Sequence, residues 1–458
     1  MATYKTPGVY VEEIATLPPS VAEVATAVPY FIGYSAAGAG RTARINTLLE
    51  FEQQFGGPRP ESFTVETMLP AGGGAPQFNS ISRLSDAVTP EDLLYYSLAL
   101  YFNNGGGSCY VASVGSLETT PTLADFVQGL ALAAKEDEPT LLLFPDATRL
   151  PASDYYNLCD LALAQCGEMK DRFVLIDVVP AGEPAEGAQK AADVPYFRDN
   201  IGAANLKYGA AYYPYLQTNI PYRYALDGVR VTLAGDTPTV QSLEALAADQ
   251  TVLYNAVKGA LASQRVILPP CAALAGVYAR VDRERGVWKA PANVSLNSII
   301  APLVKITNRE QEELNIDPTA GKSVNAIRAF TGKGILVWGA RTLAGNDNEW
   351  RYVSVRRLFN LIEESIQKST SFAVFEPNDA TTWLKVRAMI ESYLFGLWEQ
   401  GALAGSRSED AYFVRVGLGQ TMTVEQVNDG YLIIEVGVAA VRPAEFIVLR
   451  FSHKLQEA

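Results

Sequence analysis

The residue types that perform most enzyme chemistry are scarce in this chain. Its one histidine, His453, stands five residues before the end of the sequence. A Ser-His-Asp or Cys-His arrangement, or a histidine-rich metal site, would have to be built there, and chain ends are usually too poorly ordered for that. The carboxylate pairs Asp177 with Glu183 and Glu363 with Glu364 have no neighbour that would separate their pKa values. The sequence therefore predicts no catalytic residue and no metal ligand.

Glycine-rich and aromatic motifs do not predict a cofactor either. Gly321-Lys322-Ser323 resembles the end of a phosphate-binding loop, but the pattern requires a glycine where Ile316 stands. The glycine runs at 72–74 and 105–107 lack a preceding strand and the spacing of a dinucleotide-binding fingerprint. Tyr212-Tyr213-Pro214-Tyr215 could form an aromatic cage, although tyrosines packed beneath a strand end are the favoured interpretation.

The composition is that of a globular protein with several domains. The 458 residues are 48% hydrophobic, and a chain of this length suggests about three domains. Asp and Glu number 50 against 37 Lys and Arg, a formal charge of −13. This balance argues against a nucleic-acid partner, because such affinity comes largely from basic residues that neutralise phosphates. The four cysteines form no C-x-x-C pair, and we expect buried thiols of a reducing compartment.

No segment predicts secretion or membrane insertion. After Lys5 the next basic residue is Arg41, so no charged region precedes an apolar one as in a signal peptide. The longest apolar stretches have the length of a strand, whereas a membrane-spanning helix needs about 20 residues. We expect a cytosolic product, or one released by lysis.

An alternation of helices and short apolar strands predicts an open α/β sheet in the first half of the chain. The predicted strands are 30–34, 109–114, 140–144, 172–179 and 208–215, and the predicted helices are 45–51 with Thr47 as cap, 91–103, 122–134, 153–166 and 195–206. Residues 217–250 break this rhythm and predict an insertion with a short strand at 228–233. Helix 242–264 and strand 265–268 are expected to follow.

The second half is more sharply patterned. Residues 354–368 predict an amphipathic helix whose apolar stripe lies opposite Arg356 and Arg357. Asn378-Asp379 predicts the cap of a helix over 380–399, which Gly401 ends. Asn428-Asp429-Gly430 predicts a hairpin turn between strands 420–427 and 431–438.

Both ends of the sequence predict a strand set apart from the rest by proline. Val9–Ile14 alternates before Pro18-Pro19, and Phe446–Phe451 alternates after Pro443. The backbone groups of an isolated strand must be paired somewhere, so we expect these arms to join the sheets of neighbouring subunits. The residues expected to form these contacts are Val9, Tyr10, Val11, Ile14, Phe446, Ile447, Val448, Leu449 and Phe451.

Several motifs together resemble the contractile tail sheath proteins. They are Thr6-Pro7-Gly8-Val9-Tyr10-Val11-Glu12-Glu13, Gly286-Val287-Trp288-Lys289-Ala290-Pro291-Ala292-Asn293, Gly334-Ile335-Leu336-Val337-Trp338-Gly339-Ala340-Arg341-Thr342, Tyr352-Val353-Ser354-Val355-Arg356-Arg357-Leu358, Phe375-Glu376-Pro377-Asn378-Asp379 and Pro443-Ala444-Glu445-Phe446. The resemblance implies a structural subunit of stacked hexameric rings around an inner tube. Such a sheath contracts from a metastable extended state and drives the tube through a target envelope without consuming nucleotide. The arms of neighbours would add strands to the C-terminal domain of a third subunit.

The resemblance also implies a domain plan and a tube-facing surface. The plan is a linking arm 1–22, part of the core 23–115, a variable outer region 116–270, a C-terminal sheath domain 271–442 and a second arm 443–458. The tube-facing candidates are Arg356, Arg357, Lys385 and Arg387, although ordinary surface or intramolecular pairs remain an equal alternative for them. Arg341 is interpreted as structural.

The implied partners are the subunit itself, the tube protein, baseplate and tail terminator or cap proteins, and sheath paralogues, with no cofactor, nucleic acid or membrane insertion. Assembly is expected in the bacterial cytoplasm, and the product is a virion tail or a released tail-like particle. The sequence leaves open a phage tail, a bacteriocin or an injection system. A soluble α/β enzyme and a monomeric binding module remain the alternative functions.

Overall fold

The computed structural model describes residues 21–446, apart from 72–73, 86, 182–188, 190–191 and 236. The chain divides into two compact units. We define the body unit as residues 25–361 with the segment from 442 onward, and the C-terminal unit as residues 362–441 with the segment up to Val24. Residues 115 and 270, where the sequence predicts domain boundaries, both lie in the body unit.

The described residues form both strands and helices throughout. In chain order the strands are β1 Pro29–Ser35, β2 Arg41–Ile45, β3 Phe63–Met68, β4 Gln77–Arg83, β5 Cys109–Ser116, β6 Leu141–Leu143, β7 Phe173–Asp177, β8 Gly209–Tyr213, β9 Leu216–Pro221, β10 Val229–Leu233, β11 Thr239–Ser242, β12 Arg265–Leu268, β13 Val294–Ser295, β14 Ile299–Pro302, β15 Val324–Phe330, β16 Gly334–Trp338, β17 Tyr412–Val416 and β18 Ile434–Val438. The helices are α1 Leu48–Phe55, α2 Leu93–Asn103, α3 Leu123–Ala133, α4 Ala152–Met169, α5 Asp193–Asn200, α6 Leu243–Asp249, α7 Thr251–Ser263, α8 Cys271–Arg285, α9 Asn308–Asn315, α10 Val353–Ser369, α11 Ala380–Glu399, α12 Ser408–Ala411 and α13 Val424–Asn428.

A nine-stranded sheet forms the centre of the body unit. Its spatial order is β13-β16-β15-β8-β7-β6-β1-β5-β2. The strands from β15 to β5 in this order run parallel to their neighbours, whereas β13, β16 and β2 pair antiparallel at the edges. All residues of β1, β6, β7 and β8 are buried, as is typical of parallel strands covered on both faces. The predicted open α/β sheet is confirmed.

Each face of this sheet has its own hydrophobic core, because side chains alternate along a strand. Phe31 and Phe173 lie in one core with residues of α2 and α8. Ile32 and Val174 lie in the other with residues of α3 and α4. The sequence therefore places helices on both sides of the sheet, which is the arrangement of an α/β protein.

The insertion predicted at 217–250 contributes to two smaller sheets, with orders β11-β10-β3-β4 and β12-β9-β14. The single helix predicted over 242–264 is wrong, since the chain forms α6 and α7 with a break at Gln250. Gln250 has φ −136° and ψ 60°, outside the helical range. The helical spacing of apolar residues can continue across such a break, so the sequence pattern did not reveal the break at Gln250.

The C-terminal unit contains α11 and the antiparallel pair β17 and β18. The carboxylate of Asp379 caps α11 by accepting hydrogen bonds from the backbone N–H groups of Thr381 and Thr382, as the sequence predicts. The hairpin predicted around residues 428–430 is wrong. Residues 424–428 form α13, whose first turn is closed by a capping box between Thr423 and Gln426, and β18 pairs with β17.

Candidate functional site

Most of the predicted arm residues lie outside the part of the chain that the structure describes. These are Val9, Tyr10, Val11 and Ile14 of the first arm, and Ile447, Val448, Leu449 and Phe451 of the second. Phe446, the first residue of the second predicted strand, is described and 69% exposed.

The residue before Phe446 is held firmly by the body unit. The Glu445 carboxylate accepts hydrogen bonds from Arg341 Nε at 2.9 and 3.2 Å and from Arg341 Nη2 at 2.5 Å. It also accepts from Asn315 Nδ2 at 2.7 Å and from the Tyr352 hydroxyl at 3.3 Å. The Arg341 side chain is 4% exposed and that of Glu445 is 22% exposed. Because hydrogen bonds between ionised groups are shorter and stronger than those between neutral groups, the arrangement is well suited to a carboxylate.

The ionisation of Glu445 follows from these contacts. Partial burial opposes its charge, but hydrogen bonds from Arg341, Asn315 and Tyr352 and the charge of Arg341 outweigh that effect. They hold the pKa of Glu445 below its ordinary value. The carboxylate is therefore ionised at neutral pH and remains paired.

Arg341 is positioned by Asn325. The Asn325 side chain accepts a hydrogen bond from the backbone N–H of Arg341 and donates one to its carbonyl oxygen, both at 2.8 Å. Arg341 Nη1 also donates to the carbonyl oxygens of Asn315, at 3.3 Å, and Gly345, at 3.4 Å. These bonds leave the Nε and Nη2 edge of the guanidinium group for Glu445.

Two of the tube-facing candidates, Arg356 and Arg357, are buried, so the structure favours the intramolecular alternative for both. Arg357 donates to Asp282 Oδ1 at 3.0 Å and Oδ2 at 2.5 Å, and to the carbonyl oxygen of Thr26 at 2.7 Å. Its guanidinium carbon lies 4.6 Å from the centre of the Tyr278 ring. Arg357 therefore belongs to an internal ion pair of the body unit.

Arg356 is buried in the same unit. Its guanidinium carbon lies 4.3 Å from the centre of the Trp350 ring, and Nε donates to Asn360 Oδ1 at 2.8 Å. A polar position opposite an apolar stripe predicts a solvated face only when no other element covers it. The sequence pattern gave no sign of the aromatic cover over this side of α10.

The other two candidates are exposed on α11. Lys385 is exposed, and Arg387 pairs with Glu391 one turn later at 2.8 Å, with side chains 45% and 38% exposed. Leu384 and Phe395 are also exposed on this helix. The helix therefore presents a surface of mixed charged and apolar character.

The two-stranded sheet of the C-terminal unit is the second notable surface. The inward side chains of β17 are Val414 and Val416, which are buried. Phe413 is 41% exposed, and Arg415 pairs with Glu435 of β18 at 3.5 Å on the outer face. Among the described residues, no other strand pairs with either β17 or β18. Each strand therefore has one edge that can accept another strand.

The groups considered for enzyme chemistry have structural roles. Lys322 Nζ donates to the carbonyl oxygens of Arg198 and Ile201, so it is not the lysine of a phosphate loop. Tyr212, Tyr213 and Tyr215 are buried, and no open aromatic cage forms. Cys109, Cys159, Cys166 and Cys271 are free thiols, and all four are buried as predicted.

The described segments between residues 21 and 446 contain no group of three or more His, Cys, Asp or Glu side chains placed to hold a metal ion. None of their helices is long and apolar enough to cross a membrane.

Two regions of the chain match known protein families. Residues 162–343 match the phage tail sheath protein central domain, and residues 345–454 match the phage tail sheath C-terminal domain. The chain belongs to the family of contractile tail sheath proteins. This is a family of structural subunits and not of enzymes.

Solved structures of similar proteins match over the whole chain. The PVC sheath complex of an extracellular contractile injection system, in its contracted state, is 32% identical with a TM-score of 0.68, and the match covers 100% of this chain and 99% of that one. The contracted helical sheath of the anti-feeding prophage is 34% identical with a TM-score of 0.64, over 99% and 100% of the two chains.

Curated relatives match over shorter segments. The tail sheath protein of Vibrio phage KVP40 is 26% identical over 188 residues, which are 40% of this chain and 26% of that protein. The tail sheath protein of Enterobacteria phage T4 is 28% identical over 129 residues, 28% of this chain and 19% of that protein. The chain thus matches about a quarter or less of the length of these two relatives.

The pairing of Glu445 with Arg341 was not predicted from the sequence. Both residues stand in motifs that carried the resemblance, Gly334–Thr342 and Pro443–Phe446. An arginine and a glutamate 104 residues apart give no local signal of contact. Only their occurrence in two separate motifs of the family could have suggested it.

Proposed function

We propose that this protein polymerises as stacked hexameric rings around an inner tube and contracts from a metastable extended state to drive that tube through a target envelope. The observation that carries the proposal is the pair β17 and β18, which has an open edge on each side among the described residues. An isolated two-stranded sheet is marginally stable in water, so additional strands would stabilise it. Two open edges match two linking arms per subunit.

Strand addition supplies the proposed connection between subunits. Main-chain hydrogen bonds give such a joint its affinity, and alternate side chains give it specificity. If the arms are strands as the sequence predicts, Val9 and Val11 of the first would share one face, as would Ile447, Leu449 and Phe451 of the second. Burying a large apolar side chain contributes about 1.5–3 kcal/mol. A few such residues and a hydrogen-bond ladder would hold neighbours together while their bodies move.

The relatives support a helical assembly that contracts. One is a helical sheath in a contracted state, and another is part of a baseplate with sixfold symmetry. We propose the same partners here: other copies of the chain, an inner tube, a baseplate, a terminator or cap protein and sheath paralogues. Assembly would take place in the bacterial cytoplasm, and the finished sheath would belong to a phage tail or tail-like particle.

A tube-facing role is proposed for Lys385 and Arg387 alone of the four original candidates. Both are exposed on α11, whereas Arg356 and Arg357 are buried in internal contacts. The region 116–270 is proposed to face outward from the tube. Contraction would draw on a packing-energy difference between two lattices, which is small per subunit and summed over many subunits.

The first experiment removes one arm. Deletion of residues 1–20 should leave a folded chain that no longer forms extended sheath. Thermal unfolding monitors folding, and electron microscopy with sedimentation monitors assembly. The double variant V9D/V11D should act like the deletion because it places charges on the buried face, while E12Q on the opposite face should assemble normally.

Hydrogen exchange identifies where the arms bind. Amides of β17 and β18 should exchange faster in the unassembled chain than in assembled sheath, because strand addition protects both edges. Normal extended tubes from the deletion variant would contradict the strand-exchange proposal. Equal exchange before and after assembly would contradict β17 and β18 as the acceptor.

A further inference from the structure

We propose that Arg341, Asn315 and Tyr352 form an anchor that clamps the Glu445 carboxylate and so fixes the point at which the C-terminal arm leaves the body unit. The inference rests on the proposed function, since it assigns a positioning role to residues at the base of an arm that joins subunits. The anchor is inferred from the hydrogen bonds that converge on Glu445.

The anchor is built for a carboxylate. Arg341 offers a planar edge whose Nε and Nη2 groups both reach Glu445, which is the fork geometry that carboxylates match best. Asn315 and Tyr352 add donors to the two carboxylate oxygens, Oε1 and Oε2 respectively. Four donor groups from three separate segments therefore converge on one side chain.

The receiving side of the anchor is held independently of Glu445. Asn325 bonds both backbone groups of Arg341, and the carbonyl oxygens of Asn315 and Gly345 hold Nη1. A guanidinium group that is already oriented loses little side-chain freedom when the carboxylate binds. The body unit thus orients the guanidinium group of Arg341, and the Glu445 carboxylate binds to it.

The position of Glu445 in the chain indicates what its pairing with Arg341 does. The chain leaves the body unit at Leu361, forms the C-terminal unit, and belongs to the body unit again from Arg442. Glu445 ties this returning segment to Arg341, Asn315 and Tyr352 of the body unit, one residue before exposed Phe446. A neighbour that binds the arm beyond Phe446 would pull on the body unit through Glu445.

A purely structural role for the ion pair predicts a different outcome. If Glu445 only stabilised the fold, its removal would lower the unfolding temperature, and assembly would fall in proportion to the loss of folded chain. If it positions the arm, its removal should free the segment around residue 444 and hinder assembly of chain that is still folded. The two roles are therefore separated by a local measurement.

The local measurement uses a spin label at A444C in the unassembled full-length chain. Ala444 is exposed, and the four native cysteines are buried, so the introduced thiol is the reactive one. The label should be immobilised with Glu445 present and mobile in E445A. E445Q should give an intermediate spectrum, because the amide keeps one acceptor oxygen for Arg341 but loses the charge.

The assembly measurement compares the same substitutions without the label. E445A should raise the subunit concentration needed for tubes by about tenfold or more, and E445Q should raise it less. E313Q is the matched control, because Glu313 is 72% exposed on α9 and pairs loosely with Arg309 at 3.9 Å. It should assemble like the unmodified chain.

Three results would overturn the anchor. They are a label equally immobile in E445A, a label already mobile in the unmodified chain, and a mobile label in E445A with unchanged tube formation. If the unmodified chain forms no tubes, the proposed function fails, and the label spectra alone then decide whether Glu445 fixes the segment.

Discussion

Arg357 illustrates how a charged side chain becomes part of a protein core. It holds Asp282 through two hydrogen bonds, and both side chains are almost fully buried. R357A would leave the Asp282 carboxylate buried without its partner. We expect a loss of about 3–5 kcal/mol in the free energy of unfolding, measured by chemical denaturation of the unassembled chain.

Two companion variants test the cause of that loss. R357K keeps the charge but not the paired geometry, so it should fall between R357A and the unmodified chain. R387A removes an arginine from an exposed pair on α11 and should cost at most about 1 kcal/mol. Equal losses from R357A and R387A would show that burial of the pair is not what matters.

Asp177 should make stability depend on pH in a direction opposite to most acidic residues. Burial raises its pKa to about 7, although the backbone N–H and side chain of Cys271 favour the charged form. In the unfolded chain the carboxyl has its ordinary pKa, near 3.8. The folded state thus binds more protons between these values, and this contribution to stability is lost as pH rises from about 4 to about 7.

The variant D177N isolates that contribution. Asparagine can still accept the hydrogen bond that Cys271 N–H donates at 2.9 Å, but it does not titrate. The stability of D177N relative to the unmodified chain should improve between pH 5 and pH 8, measured by denaturation at each pH. A constant difference across this range would contradict a buried, titrating Asp177.

At the scale of elements, the sequence predicted the features that depend on neighbouring residues, such as helix caps and buried strands. Thr47 and Asp379 cap α1 and α11 as expected. Each has an extended backbone, and its side-chain oxygen accepts hydrogen bonds from backbone N–H groups in the first turn of the helix. The buried run 30–34 predicted a central strand because a strand covered on both faces has no polar face. These signals also predicted the open sheet.

Contacts between distant segments were beyond reach of the same signals. Asn428-Asp429-Gly430 is a favourable hairpin turn in isolation, but the capping box of Thr423 and Gln426, a competing local signal, makes residues 424–428 helical. Strand β18 then pairs with β17, whose last residue Val416 lies opposite Ile434. For the same reason the pattern of α10 left surface and intramolecular roles equally open for Arg357, since Asp282 and Thr26, which it contacts, are remote in sequence.

At the scale of the whole molecule, net charge opposes the proposed assembly. Each subunit carries a formal charge of −13, and a sheath brings many copies close together. Exposed like charges repel over a distance set by the Debye length, which falls from about 30 Å at about 10 mM salt to about 8 Å at about 150 mM. Screening should therefore favour assembly more than it weakens exposed ion pairs, which contribute little.

The concentration of subunits needed to form tubes should thus be lower at about 150 mM NaCl than at about 10 mM. Sedimentation and electron microscopy across a concentration series measure this threshold, and thermal unfolding at both salt concentrations controls for changes within the subunit. Lowering the salt concentration does not strengthen contacts between the apolar faces of the linking arms. These contacts therefore do not offset the repulsion between acidic subunits. A higher threshold at the higher salt concentration would mean that complementary charges between subunits dominate the interface, and that the acidic surface is arranged against basic patches on its neighbours.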